Sequence, residues 1–188
     1  PAPADTQAVP TPQYEGRVEI TWTNQHRRLL ARDDNTYEWV PAHDERVSEV
    51  RLLDSVAVVG HTHDDEQRAA DNLLIRGDAL HALRSLASLP EFRDEYLGKV
   101  KLCYIDPPFN TSKTFEHYED NLEHSIWLTM MRDRLVHIKK LLSDDGSIWV
   151  HLDDSENHRM RVLLDEVFGP GNFMAEVVWQ KASSPRND

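Results

Sequence analysis

From residue 72 onward the chain alternates short apolar runs with stretches of helical period, and this constrains the fold more than any other feature. Leu73-Leu74-Ile75 is closed by Arg76-Gly77-Asp78, after which Ala79, Leu80, Leu83, Leu86 and Leu89 recur along one helix face. Val100-Lys101-Leu102-Cys103-Tyr104-Ile105 is a second strand candidate and runs straight into Asp106-Pro107-Pro108-Phe109. Ser125 is placed to cap a long helix whose Trp127, Met131, Leu135, Ile138 and Leu142 share a face. Asp144-Asp145-Gly146 is turn material, and Ser147 to Leu152 forms a third strand candidate. Ser155 can cap a further helix carrying Met160, Leu163, Leu164 and Val167 and stopped by Gly169, before a last apolar run, Ala175 to Trp179. Strands alternating with helices predict an α/β fold with a doubly wound, mainly parallel sheet.

The first seventy or so residues read differently. Residues 1–13 hold four of the ten prolines without any apolar period, and are expected to be a flexible lead-in. Residues 14–60 predict a small β-rich appendage, with strand candidates at 17–22, 37–40 and 56–59 and a turn at 32–35. Residues 61–71 read as a polar linker. His61 and His63 stand beside carboxylates there, but no third ligand at suitable spacing is evident, so a solvated loop is expected and no metal. The alternating strand-and-helix part is expected to form one domain over 72–182.

Bulk properties bound the function. The 21 Lys+Arg against 33 Asp+Glu give a formal charge of −12, which disfavours a chain that by itself grips a long stretch of phosphate backbone. If the protein works on a nucleic acid, the basic surface is expected in a local patch, on a partner or on another segment. No apolar run reaches the roughly 18 residues that a membrane span needs. The single cysteine, Cys103, excludes an intrachain disulfide and suits a reducing, cytoplasmic setting.

The chemistry concentrates at residues 106–109. Asp106 follows an apolar strand immediately, so it falls at the strand's carboxyl end, where open α/β sheets bind ligands. Two consecutive prolines remove two backbone donors and hold Asp106 and Pro107 extended. The loop therefore offers a carboxylate and peptide carbonyls as acceptors, with the ring of Phe109 beside them. Such a surface suits an amino group on a planar heterocycle. The two N–H bonds go to the Asp106 carboxylate and the Pro107 carbonyl, and the base stacks on Phe109, a contact of about 1–3 kcal/mol. Positioning and desolvation would then do most of the catalytic work.

These residues resemble the N6-adenine DNA methyltransferases of the β order, in which the DPP(Y/F) motif precedes the glycine-rich cofactor loop. The chain is most similar to the modification (Mod) subunits of type III restriction systems. The resemblance covers roughly residues 71–181 and rests on five segments in order: Asn72 to Leu80, Lys101 to Thr111, Trp127 with Met131 to Leu135, Leu142 to Asp154, and Asn172 to Lys181. It implies a Rossmann-like methyltransferase fold, S-adenosylmethionine as cofactor, and double-stranded DNA as substrate with the target base flipped out. A second copy of the chain or a restriction subunit is the protein partner it implies. By matching position, Asp106, Pro107, Pro108 and Phe109 are the catalytic loop. Gly77 and Asp78 resemble the turn lining the cofactor's adenine pocket, and Asp106 the group near its sulfonium. A strand-to-helix turn with Asp78 as N-cap also accounts for Gly77 and Asp78, and helix capping accounts for Asp153 and Asp154. Cys103 lies within a strand and is not presented by a Pro-Cys turn, which disfavours a cysteine-nucleophile mechanism.

One departure from the family pattern stands out. The sequence has no Phe-x-Gly-x-Gly loop, and its close glycine pair, Gly169-Pro170-Gly171, closes a helix. The chain is accordingly expected to be the N-terminal part of a longer enzyme, inactive and a poor cofactor binder in isolation. Asp as the motif's first residue favours adenine over cytosine. N4-cytosine methylation and a non-catalytic interaction module are the alternatives.

Overall fold

A computed structural model describes residues 18–32, 36–61, 71–111 and 122–180, together with the backbone of 113–115 and 118–120. The lead-in, the turn residues 33–35, His63 and most of the linker lie outside the described residues.

A single long helix organises the core. It is α4 in an order that runs β1 (Arg28–Ala31), β2 (Tyr37–Val40), α1 (Glu45–Ser48), α2 (Ala79–Ser88), α3 (Pro90–Tyr96), β3 (Val100–Ile105), β4 (Lys113–Phe115), β5 (Tyr118–Asp120), α4 (His124–Leu141), β6 (Leu142–Val150) and α5 (Asn157–Phe168). The expected face of α4 is the buried one, since Trp127, Met131, Leu135 and Ile138 are at most 3% exposed, but Leu142, expected on the same face, is past the helix and opens β6. Each such side chain contributes about 1.5–3 kcal/mol of burial. Lys139 and Lys140 fall in the last turn, where the helix dipole favours cations. Ser125 is not the cap, however. Glu123 is the N-cap and its carboxylate accepts from Ser125 N, while Ser125 is drawn into the core below it. The hydrogen bond from the Ser125 hydroxyl, with that from Ser125 N, holds the Glu123 carboxyl below its usual range.

The chain passes from β3 through α4 to β6, and β6 lies parallel to β3 with Cys103 opposite Ile148 and Ile105 opposite Val150. Cys103, Ile105, Ile148 and Val150 face α4, whereas Leu102, Tyr104 and Trp149 point away from it. The expected turn at 144–146 is instead an excursion within β6: Val100 pairs with Leu142, but Leu102 pairs with Ser147. Gly146 permits it, since an added Cβ would stand 2.6 Å from the Val100 carbonyl. Lys101 closes the excursion through Asp145.

The doubly wound sheet is present only in part, as this parallel pair beside two antiparallel pairs, β1–β2 and β4–β5. Leu73-Leu74-Ile75 and Ala175 to Trp179 form no strand; Leu74 is 97% exposed and Val178 87%. An apolar run becomes a strand only when a neighbour takes its hydrogen bonds, and among the described residues neither run has one. The same holds for Val56 to Val59. Residues 18–22 are not a strand either. Their alternation reflects docking on α4, where Ile20 and Trp22 pack and Trp22 Nε1 donates to the buried Thr129 hydroxyl at 2.7 Å. The N-terminal hairpin is instead β1 with β2, of which only β2 was expected, and its Leu29 enters the α4 core. Among the described residues no helix is long and apolar enough to cross a membrane.

Candidate active site

Asp106 leaves β3 at its carboxyl end, as expected, with its side chain 61% exposed. The parallel register sets its neighbour. Ile105 is opposite Val150, so the next residues, Asp106 and His151, face each other, and the His151 amide donates to the Ile105 carbonyl at 2.9 Å. His151 Nδ1 stands 3.4 Å from Asp106 Oδ1. The same imidazole meets the Phe109 ring edge-on, with centroids 5.4 Å apart. One histidine thus touches both the carboxylate and the aromatic of the loop.

Pro107, Pro108 and Phe109 are half-buried. Trp127, fully buried, donates its indole N–H to the Pro108 carbonyl at 2.8 Å. Among the described residues, the loop carbonyl that takes a protein donor is therefore that of Pro108. Asn110 then turns the chain with φ 61, a left-handed conformation that asparagine tolerates better than most residues. Its side chain is spanned by two bonds, Asn110 Nδ2 to Glu156 Oε1 at 2.6 Å and Leu122 N to Asn110 Oδ1 at 2.7 Å. Glu156 is completely buried and also meets His124 Nδ1 at 2.6 Å and Arg159 Nη1 at 2.9 Å.

Gly77 and Asp78 precede α2. Asp78 is its N-cap and accepts from Leu80 N at 2.8 Å, so the capping account of this residue holds. Its other oxygen takes Arg134 Nη2 at 2.8 Å. Trp127 and Arg134 are seven residues apart on α4, hence on one face and about 10 Å apart along the axis. The helix therefore anchors the loop 106–109 and the turn 77–78 on the same side. Space in front of Gly77 is open. Contrary to expectation, neither Asp153 nor Ser155 caps α5: Asp153 accepts from Ser155 N at 2.9 Å in the turn before the helix, and Glu156 holds the N-cap position. Cys103 is half-buried in β3, and burial pushes its thiol pKa up, which disfavours a thiolate nucleophile.

His151, Asn110 and Glu156 were not singled out from the sequence. His151 could have been found by aligning the carboxyl ends of the two parallel strands. Asn110 and Glu156 carry no such signal, because their meeting depends on how α5 is set against the loop.

Residues 100–188 match the family model described as DNA methylase. Over 105 residues the chain is 47% identical to the probable type III restriction-modification enzyme HindVI Mod subunit of Haemophilus influenzae, covering 56% of this chain and 13% of that protein. It is 33% identical over 147 residues to the type III restriction-modification enzyme EcoPI Mod subunit of Escherichia phage P1, covering 62% of this chain and 22% of the relative. A type II methyltransferase, M.EcaI of Enterobacter cloacae, is 39% identical over 92 residues, which are 46% of this chain and 20% of the relative. The chain thus spans less than a quarter of the length of these relatives, and the likeness to DNA methylases and to type III Mod subunits holds over that part.

Proposed function

We propose that the protein transfers a methyl group from S-adenosylmethionine to the exocyclic amine of a DNA base, adenine N6 in the first instance. The observation that carries this reading is the loop Asp106–Phe109. It lies inside the segment that matches the DNA methylase family, and it holds an exposed carboxylate at the carboxyl end of a parallel strand. We take β3 and β6 as part of a doubly wound, Rossmann-like sheet, in which ligands sit at that end.

The protein's own groups have distinct tasks. Asp106 and the Pro107 carbonyl accept the two N–H bonds of the flipped base's amine, which turns its lone pair out of the ring plane. Phe109 stacks on the base, and Pro108 is held back against α4 by Trp127 so that the acceptor surface stays rigid. His151 stands beside both the Asp106 carboxylate and the Phe109 ring, where it can help to orient them. Preorganised acceptors of this kind are worth most in a water-excluded site.

The residues fit the cofactor in charge and in room. The Asp106 carboxylate suits a nearby sulfonium cation, and nothing crowds the side of Gly77 on which a Cβ would stand. Asp78 already uses one lone pair on Leu80 N and one on Arg134, so its remaining lone pairs are those available to the cofactor. The cofactor supplies an electrophilic methyl group. Double-stranded DNA is the proposed substrate, and the Mod relatives support a restriction subunit, or a second copy of the chain, as protein partner.

Mass spectrometry of nucleosides from DNA incubated with the full-length protein and S-adenosylmethionine tests the reading. N6-methyladenine is expected. N4-methylcytosine in its place would move the assignment to cytosine, and neither product would overturn it.

A further inference from the structure

Glu156 occupies the N-cap position of α5, yet its side chain makes no capping bond. It turns inward instead and is fully buried, although a buried carboxylate is costly unless it is paired and hydrogen-bonded. Its pairing is complete. Oε1 takes both Asn110 Nδ2 and His124 Nδ1 at 2.6 Å, and Oε2 takes Arg159 Nη1 from the next turn of α5. Three elements therefore converge on one carboxylate: the end of the loop after Phe109, the first residue of α4, and α5.

We infer that Glu156 is a positioning residue for methyl transfer, which acts through Asn110 to hold the acceptor loop in its catalytic conformation. The inference rests on the proposed methyltransferase reading. Asn110 follows Phe109 directly and sits in a left-handed conformation that most residues avoid, so the direction in which Phe109 leaves the loop depends on its staying there. Trp127 fixes the loop's middle through the Pro108 carbonyl, but nothing in that contact fixes the rotation of the peptide after Phe109. The Glu156–Asn110 bond does. Asn110 Oδ1 passes the restraint on to Leu122 N, just ahead of α4, so the chain is tied on both sides of the segment between loop and helix. Arg159 supplies the positive charge that makes the buried carboxylate tolerable, His124 Nδ1 adds a further hydrogen-bond partner, and neither residue touches Asp106 or Phe109.

Two variants of the full-length protein separate this role from simple support of the fold. Asn110→Gly keeps the left-handed backbone at no steric cost and removes the clamp. Glu156→Gln keeps the shape and one acceptor but loses the charge. In both, kcat is expected to fall by between about ten- and a hundredfold, with KM for S-adenosylmethionine changed by less than about threefold, since misplacement of a reacting group acts on the chemical step. The double variant should be no worse than Asn110→Gly, because the two residues act through one bond. Amide hydrogen exchange at Leu122 should speed up by about tenfold or more in Glu156→Gln, with exchange in the middle of α4 unchanged. Wild-type kcat in both variants, or losses that multiply in the double variant, would overturn the inference. If the wild type transfers no methyl group, the functional reading fails. The clamp is then judged by exchange at Leu122, and unchanged exchange in Glu156→Gln overturns it.

Discussion

The indole N–H of Trp127 and the carbonyl of Pro108 lie 2.8 Å apart, which ties the middle of the acceptor loop to the most buried part of the core. Trp127→Phe keeps an aromatic in the core but leaves that carbonyl without its donor. Stability should drop by about 1–3 kcal/mol, the scale of one unsatisfied buried group together with a small cavity. Methylation should fall more than the loss of folded protein explains. Urea unfolding midpoints set beside turnover per folded molecule provide the check. Equal stability of the two proteins would show that the bond carries no weight.

Asp106→Ala should lower methylation by about 10² or more, as when one transition-state hydrogen-bonding group is removed. The side chain is 61% exposed, so folding should survive. Near-normal turnover by a folded variant would remove Asp106 from the mechanism.

Phe109→Ala should chiefly weaken capture of the flipped base, by about the 1–3 kcal/mol of one stacking contact. Phe109→Tyr keeps the aromatic ring that stacks on the base and meets His151, and should be tolerated. Fluorescence of 2-aminopurine placed at the target position reports the flipped state. An alanine variant that flips the base as well as wild type would count against the stacking role.

His137 gives a pH dependence with a definite sign. It lines a cavity of about 70 Å³ with Arg28, Leu29, Val47, Leu80, Arg84, Asp133 and Val136. Burial, aided by Lys140, Arg84 and Arg28, lowers its pKa from 6.5 to about 4. The unfolded chain then binds the proton more readily than the folded one between those values, so stability present above pH 6.5 is lost as pH falls toward 4. Each pH unit of that gap is worth about 1.4 kcal/mol at most. Partial exposure of the ring reduces the total to about 1–2 kcal/mol. Glu123 and Asp145, whose pKa values are lowered, add acid sensitivity at lower pH. His137→Gln isolates the histidine's share: the difference in unfolding free energy between the two proteins should shrink or reverse as pH falls from 7 to 4.5. A difference independent of pH would mean that His137 is not held neutral by the fold.

Local sequence determined those features whose causes are local. Paired prolines after an apolar run place an acceptor loop at the end of β3 whatever surrounds it, because the missing donors and fixed φ belong to the residues themselves. The stripe Trp127, Met131, Leu135, Ile138 is legible because helical period converts spacing into one face. Asp78 caps α2 for a reason written within two residues of it. Tertiary structure decided what needs a partner distant in the chain. Val56 to Val59 and Ala175 to Trp179 have the composition of strands and form none, since a strand exists only with a neighbour to pair with, whereas residues 18–22 spend their alternation on α4. The His151–Asp106 contact follows from the register of two parallel strands. The buried Glu156 meets Asn110 from 46 residues away, at a point that no spacing rule reaches. Glu156 and Asn110 meet where packing has excluded water, and it is that exclusion which makes a carboxylate and an amide seek one another.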